Sequence, residues 1–370
     1  MFELEPALRC LIETDGSDLH LKVPAHPLIR RHGSLDPIPE SDKLAPEDTE
    51  RVLREMLDDP VKLEEFDDQH EVDFAYSVPG LSRFRVNAFQ QRGVISIVCR
   101  AVPHTITSVE ELMLPPVISD LAEEERGIIL VTGTTGSGKS TTLAAMIDQI
   151  NQTRSKHIVT IEDPIEFLHR DKRSIVNQRE VGNDTHSFKR ALRRVLRQDP
   201  DVILIGEMRD EETVSTALSA AETGHLVLST LHTVDAGETV NRIIDFFSPH
   251  MHGQVRSMLG GTLKGIVSQR LVPRCDRHGR VVTCEILRQT GRVRDMIQNP
   301  DETGKLPEAI AEGAYYGMQT FDQALLTHVT EGRVDMEEAL RAATHPHDFK
   351  LLVRSEGKRS TSVEQLMPAG

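Results

Sequence analysis

The chain has no tryptophan, only three tyrosines and an aromatic content of 4%. So few rings leave little with which to stack bases or sugars, which argues against single-stranded nucleic acid as the main ligand. Positive charge is short as well: 43 lysines and arginines against 58 aspartates and glutamates give a net charge of −15. A nucleic-acid translocase displaces counterions with a basic surface, so this balance lowers that class while leaving room for a local basic channel. No apolar run approaches the roughly 20 residues that span a bilayer. The opening MFELEPALRCLIETDGSD is acidic and amphipathic, unlike the basic start and apolar core of a signal peptide. Cys10, Cys99, Cys275 and Cys284 form no CxxC pair and read as reduced thiols of a cytosolic protein. Cys275, His278 and Cys284 have ligand chemistry but not a usual zinc spacing.

What remains is an ordinary globular composition, 38% hydrophobic and 27% charged over 370 residues, with room for two domains. The N-terminal part, 1–102, reads as a small α+β domain. Phe2, Leu4, Leu8, Leu11 and Ile12 suit one helix face, and Asp18 to Val23 alternates like a strand. Pro24, Pro27 and Gly33 mark turns, and a helix is expected from about Pro46 to Asp58. Val72–Val78 and Arg83–Phe89, separated by Pro79-Gly80, form a hairpin pattern followed by a strand at Val94–Arg100. Three prolines between Pro103 and Pro116 place a linker at 103–116.

From Arg126 the pattern changes. Ile128–Val131, Ile158–Ile161, Val202–Ile205 and Leu226–Leu228 are short β-branched runs, as in strands buried on both faces. Helices are expected at Ser140–Asn151, Phe188–Arg197 and Glu211–Glu222, the last capped by Asp210 and closed at Gly224. The class is α/β, a parallel sheet covered by helices, in a second domain spanning 117–355. Beyond about Pro249 the chain reads as mostly helical, and a polar tail, 356–370, reads as disordered.

Gly133-Thr134-Thr135-Gly136-Ser137-Gly138-Lys139-Ser140, followed by Thr141, matches the P-loop pattern at every fixed position. It falls after a strand and before a helix, as phosphate cradling requires. Glycines let backbone N–H groups turn toward phosphate oxygens, and the helix start adds positive potential. Lys139 should reach the β- and γ-phosphates of ATP, and Ser140 should ligate Mg²⁺. Hydrolysis also needs a carboxylate to handle water. Val202–Ile205 delivers Glu207 through Gly206, which is the Walker B position and suits the Mg²⁺ shell. The strand at 158–161 leads into Glu162, Asp163 and Glu166. Singly each acid would read as a solvated loop residue; their convergence at the C-terminal ends of parallel strands reads as a site. His225 and His232 bracket the strand Leu226–Leu228. A lone histidine is more often structural, but this pair is placed to sense the γ-phosphate.

Taken together, the P-loop, Thr160-Ile-Glu-Asp-Pro-Ile-Glu166, Ile205-Gly-Glu-Met-Arg-Asp210, and Ala221-Glu-Thr-Gly-His225 with Thr230-Leu-His-Thr233 resemble one family's Walker A, Asp-box, Walker B and His-box motifs. That family is the type IV pilus retraction ATPases, the PilT and PilU branch of the secretion ATPases. The resemblance extends from Gly16-Ser-Asp-Leu-His20 through Arg83-Phe-Arg-Val-Asn87 to Gly317-Met-Gln-Thr-Phe-Asp322. It implies a PAS-like N-terminal domain, a RecA-like ATPase domain and a homo-hexameric ring. It further implies Glu166 as catalytic base, Glu207 as support for Mg²⁺ and water, and His225 and His232 as readers of nucleotide state. Arg83 and Arg85 are candidates for charges donated across a subunit boundary, against a reading as plain strand-surface arginines. Expected partners are an inner-membrane pilus platform protein and a paralogous retraction ATPase, with the chain cytoplasmic and peripheral at the membrane. The extra N-terminal region and four-cysteine zinc element of the assembly and type II secretion ATPases are missing, which favours the retraction branch. The family's Ala-Ile-Arg-Asn-Leu-Ile-Arg-Glu segment appears as Arg292-Val-Arg-Asp-Met-Ile-Gln-Asn299, retaining Arg294 but carrying Gln298. That leaves open whether this is the primary motor or its accessory relative. Outside the family, a DNA-handling translocase and a weakly hydrolysing scaffold subunit are the competing classes.

Overall fold

A computed structural model describes residues 2–31 and 33–357. Most of the polar tail expected to be disordered, from residue 358 onward, lies outside the described residues. The chain forms two compact units: the N-terminal 105 residues together with Ile165–Leu168, and the remainder.

In the first unit, α1 (Leu4–Glu13) buries Leu4, Ala7, Leu8 and Leu11, the i, i+3, i+4, i+7 stripe of an amphipathic helix. Six antiparallel strands follow the order β3-β2-β1-β6-β5-β4. They are β1 (Asp18–Leu21), β2 (Leu28–Arg31), β3 (Ser34–Pro37), β4 (Glu71–Val78), β5 (Ser82–Gln91) and β6 (Val94–Ala101). Along β5, Phe84, Val86 and Ala88 are buried while Arg83 and Arg85 share the opposite face, the period-two alternation of a half-covered sheet. Two helices, α2 (Pro46–Met56) and α3 (Pro60–Gln69), begin with proline at the first helical position, where the missing N–H costs nothing. Sequence reasoning found α2 and not α3, whose face buries little beyond Phe66.

The second unit opens with residues 106–116, where Val109 and Leu114 are buried with Ile118 of α4 (Val117–Ala122), Val131 and Met146. Its seven-stranded sheet runs β13-β12-β7-β11-β10-β8-β9. The strands are β7 (Gly127–Thr132), β8 (His157–Glu162), β9 (Ile175–Glu180), β10 (Val202–Ile205), β11 (Leu226–Leu231), β12 (Leu263–Pro273) and β13 (Arg280–Arg288). β7, β10 and β11 are buried at every residue, as their unbroken apolar runs require. The helices α5 (Lys139–Thr153), α6 (Phe188–Val195), α7 (Glu211–Glu222), α8 (Ala236–Asp245) and α9 (His252–Thr262) occupy the crossovers or cover the faces. Asp210 caps α7 by accepting the Thr213 N–H at 2.9 Å, and Gly224 takes φ +110° just beyond its end.

One expectation is incomplete here. The described chain after Pro249 is mostly helical, as read from its sequence, but 263–288 contains an antiparallel pair, Gly265↔Arg288 through Pro273↔Arg280. β12 adds parallel to β7, so β13 is an antiparallel edge on an otherwise parallel sheet. The helix α9 ends at Thr262 and β12 begins at Leu263, with no turn residue to mark the change. Beyond it, α10 (Gly291–Gln298) and α11 (Leu306–Glu312) precede α12 (Phe321–Thr330), α13 (Met336–Ala342) and α14 (Pro346–Gly357). The last three pack on the far ends of β12 and β13 through Val272, Val281, Leu325, Val329 and Phe349.

Candidate active site

β7 delivers the P-loop at its C-terminal end. Gly133, Gly136 and Gly138 have φ of +140°, +78° and +94°, the left-handed backbone that the sequence pattern anticipates. A Cβ at Gly133 would stand 2.5 Å from the Gln269 carbonyl oxygen and 2.6 Å from Ser137 Oγ. Gly133→Ala is therefore expected to cost at least about 2 kcal/mol through strain and overpacking. A thermal melt and a nucleotide titration should both register the change.

Thr134, Thr135, Gly136 and Ser140 are exposed at the mouth of the loop, whereas Ser137 and Lys139 are buried and Gly138 and Thr141 half-buried. Lys139 Nζ donates to the carbonyls of Gly133 at 2.7 Å and Thr134 at 3.1 Å. Burial lowers its pKa, and the nearby Glu207 carboxylate opposes that shift. The first-turn N–H groups of α5 lack acceptors within the helix, so this end is suited to an anion.

Three neighbouring parallel strands bring the other groups to the same edge. β11 stands between β7 and β10, with Leu231 opposite Thr132 and Ser229 opposite Ile205. Gly206 follows β10, and a Cβ there would meet Glu162 Cα and the Ile161 carbonyl at 3.3 Å, so glycine permits the close approach of β8. Glu207 is held between Arg209, at 2.7 Å, and His232 Nε2, at 3.4 Å. Glu162 is buried, and its Oε1 accepts from Thr160 Oγ1 at 2.6 Å and Gln178 Nε2 at 3.1 Å. The structure thus gathers the P-loop, Glu207, His232 and Glu162 at one sheet edge.

Four predicted residues are not part of this edge. Glu166 is in Ile165–Leu168, the segment that packs with the first unit. There Arg85 reaches the Glu166 carboxylate at 2.8 Å and also donates to the Ile165 carbonyl at 2.8 and 3.3 Å. Arg83 lies two residues away on the same strand face, its carbonyl accepting the Val102 N–H. His225 precedes β11, at the N-terminal edge of the sheet. Its carbonyl accepts the Gly127 N–H, and its Nδ1 lies 3.0 Å from the Ala220 carbonyl. His225 and His232 bracket a six-residue strand, so they stand about 20 Å apart at opposite edges. Only His232 is at the phosphate end.

Sequence reasoning missed the second layer beneath the loop. Gln269 donates its amide to Thr142 Oγ1 of α5 at 2.7 Å, and Thr132 donates to Ser268 Oγ at 3.0 Å. Both partners come from β12, which carries no recognisable motif.

Residues 83–363 match the type II/IV secretion system protein family. The chain is 42% identical to the type IV pilus ATPase PilU of Pseudomonas aeruginosa over 352 residues, 95% of this chain and 91% of that protein. It is 44% identical to the type IV pilus retraction ATPase PilT of the same organism over 334 residues, 90% of this chain and 96% of that one. Its fold is similar to that of the pilus retraction motor PilT crystallised with ADP, at a TM-score of 0.84 and 44% identity, covering 94% of this chain and 99% of that one. With the P-loop, Walker B acid and His232 assembled on a RecA-like sheet, in a chain that also carries a separate N-terminal α+β unit, the chain belongs to the type II/IV secretion system protein family and, within it, to the type IV pilus retraction ATPases.

Proposed function

We propose that this ATPase is the motor of type IV pilus retraction, turning ATP hydrolysis into the withdrawal of pilin and so into twitching motility. The observation that carries this is the joint placement of Lys139, Glu207 and His232 around one P-loop, in a chain similar over nearly its whole length to PilT and PilU.

Mg²⁺ fits the donor set. Among the described residues no cluster of three or more His, Cys, Asp or Glu forms an all-protein metal cage. An exposed serine hydroxyl at the head of α5 and a carboxylate across the sheet edge suit an ion carried mainly by phosphates. Ser140 and Glu207 would hold it, and the ion would supply charge neutralisation on the β- and γ-oxygens. Lys139 then binds and orients the phosphates, Glu166 takes the proton of the attacking water, and His232 senses the γ-phosphate through Glu207.

The working assembly we propose is a homo-hexamer in the cytoplasm, docked on an inner-membrane pilus platform protein. Among the described residues no helix is long and apolar enough to cross a membrane, so force must pass through a membrane-bound partner. Arg83 and Arg85 remain the proposed charges acting across the subunit boundary, Arg85 by exchanging Glu166 for a neighbour's phosphate. The docking surface includes α10. Val293, Met296 and Ile297 are buried there, while Arg292, Arg294, Asp295 and Gln298 are exposed.

A second reading has its own support. Similarity to PilU equals that to PilT within a few per cent, and Gln298 replaces the family's arginine. Deleting the gene separates the two. A primary motor leaves cells with excess surface pili and no twitching, and an accessory motor gives a mild loss of motility. Cells without any pili would overturn both readings in favour of assembly.

A further inference from the structure

Glu285 of β13 has only 8% of its surface exposed, yet nothing in the hydrolysis chemistry above uses it. A buried carboxylate is costly unless something holds it. Its Oε1 accepts the backbone N–H of Ala236, the first residue of α8, at 2.8 Å. That N–H is one a helix cannot satisfy internally. Directly across the sheet from Glu285 is Ser268, and directly across from Ser268 is Thr132, the last residue before the P-loop. Residues opposite one another share a sheet face, so Glu285, Ser268 and Thr132 form one polar row leading from the base of the loop. Ala236 in turn ends the short connection His232–Asp235 that leaves β11. Within that connection His232 meets Glu207, and Thr233 bonds Thr239 of α8 at 2.6 Å. One end of the connection is tied to the P-loop strand through the sheet, and the other to α8 through Glu285.

We propose that Glu285 is a positioning residue for ATP hydrolysis, its carboxylate clamping the head of α8 so that His232 is held against Glu207, and that protonation of this carboxylate loosens the clamp. The charged groups around it are Asp235 at the head of α8, Arg270 on β12 and Asp322 on α12. Burial is the largest influence and pushes its pKa up, Asp235 and Asp322 add to the rise, and the Ala236 N–H and Arg270 oppose it, leaving a value of about 7. An ionised acceptor makes the stronger hydrogen bond, so the clamp tightens as pH rises through neutrality. Stability runs the other way. The folded pKa lies above the ordinary 4.5, so the folded chain binds the extra proton and stability falls as pH climbs toward and through about 7.

The experiment uses the full chain with ATP and Mg²⁺ in steady-state assays from pH 5.5 to 8.5 as about the usable range. Glu285→Ala is expected to lower kcat about tenfold with the KM for ATP changed less than about twofold, the effect of losing one charge-assisted hydrogen bond away from the bound phosphates. Glu285→Gln keeps a neutral acceptor for Ala236, as the protonated acid does, so its turnover stays near the wild type's low-pH level, above that of the alanine variant, and lacks the rise in kcat through about pH 7. Wild-type turnover in the alanine variant, or an unchanged pH limb in the glutamine variant, overturns the proposal. If the alanine protein does not fold, the glutamine pH limb decides alone. This inference rests on the ATPase reading, and thermal melts keep the two apart: the stability gained by Glu285→Gln grows with pH whether or not the chain hydrolyses ATP. A wild type without turnover would sink the ATPase reading, and a pH-independent melt difference would sink the clamp.

Discussion

Lys139→Ala is expected to abolish measurable ATP turnover, a fall of at least about 10²- to 10³-fold, comparable to removing a preorganised charge from a transition state. The ammonium group is already desolvated and directed along the loop, bonded to the Gly133 and Thr134 carbonyls rather than to a surface acid. Exchanging those carbonyls for phosphate oxygens replaces neutral acceptors by charged ones, so the interaction strengthens where negative charge accumulates. Alanine removes that charge and also takes away one of the cations near Glu207, which keeps Arg209 at 2.7 Å. A coupled ATPase assay and a fluorescent-nucleotide titration should show both turnover and tight binding lost. Near-normal affinity with no turnover would mean that the lysine acts only in the chemical step.

The second large effect separates the two candidate bases. Glu166→Gln is expected to suppress hydrolysis by about 10²–10⁴-fold while leaving nucleotide binding near normal, because an amide cannot take a proton from water. Glu166 is half-exposed and is oriented by Arg85, which grips its carboxylate and the preceding carbonyl together. Glu207 is already committed to Arg209 and His232 beside Lys139, a placement better suited to holding a metal and its water than to cycling a proton. Glu207→Gln should therefore raise the Mg²⁺ requirement more than it alters proton transfer. Single-turnover assays across Mg²⁺ concentration distinguish the variants. A fully active Glu166→Gln beside a dead Glu207→Gln would move the base to β10.

Much of this site was legible in the sequence because each part carries its own local signal. A P-loop needs glycines at fixed spacing, and strands covered on both faces must be unbroken apolar runs. The Walker B strand Val202–Ile205 appears in the fold with the limits read from its residues. What was not legible depends on long-range pairing. The edge strand β9 is IVNQRE, mostly half-buried and too polar to declare itself. β12 begins where a helix ends, and its glutamine and serine matter only because β7 lies beside it. Arg85 meets Ile165, 80 positions away, and the adjoining Glu166. His225 and His232 look equivalent because a strand's two ends are close in sequence. Only the strand direction shows that one faces the loop and the other faces away.

The grouping of Ile165–Leu168 with the first unit bears on how such proteins can be inherited and recombined. The chain passes between units after residue 105 and again on either side of this four-residue segment. The segment is anchored by Arg85 at Ile165 and Glu166, and by the Leu168 N–H on the Pro103 carbonyl at 3.1 Å. A gene exchange with a single crossover near residue 105 would bring in a foreign β5 and leave behind the acid it was shaped to hold. Viable hybrids between relatives must move both stretches together or preserve the arginine–glutamate match. The first unit and this short stretch of the Asp box therefore form one heritable module, although the gene stores them apart.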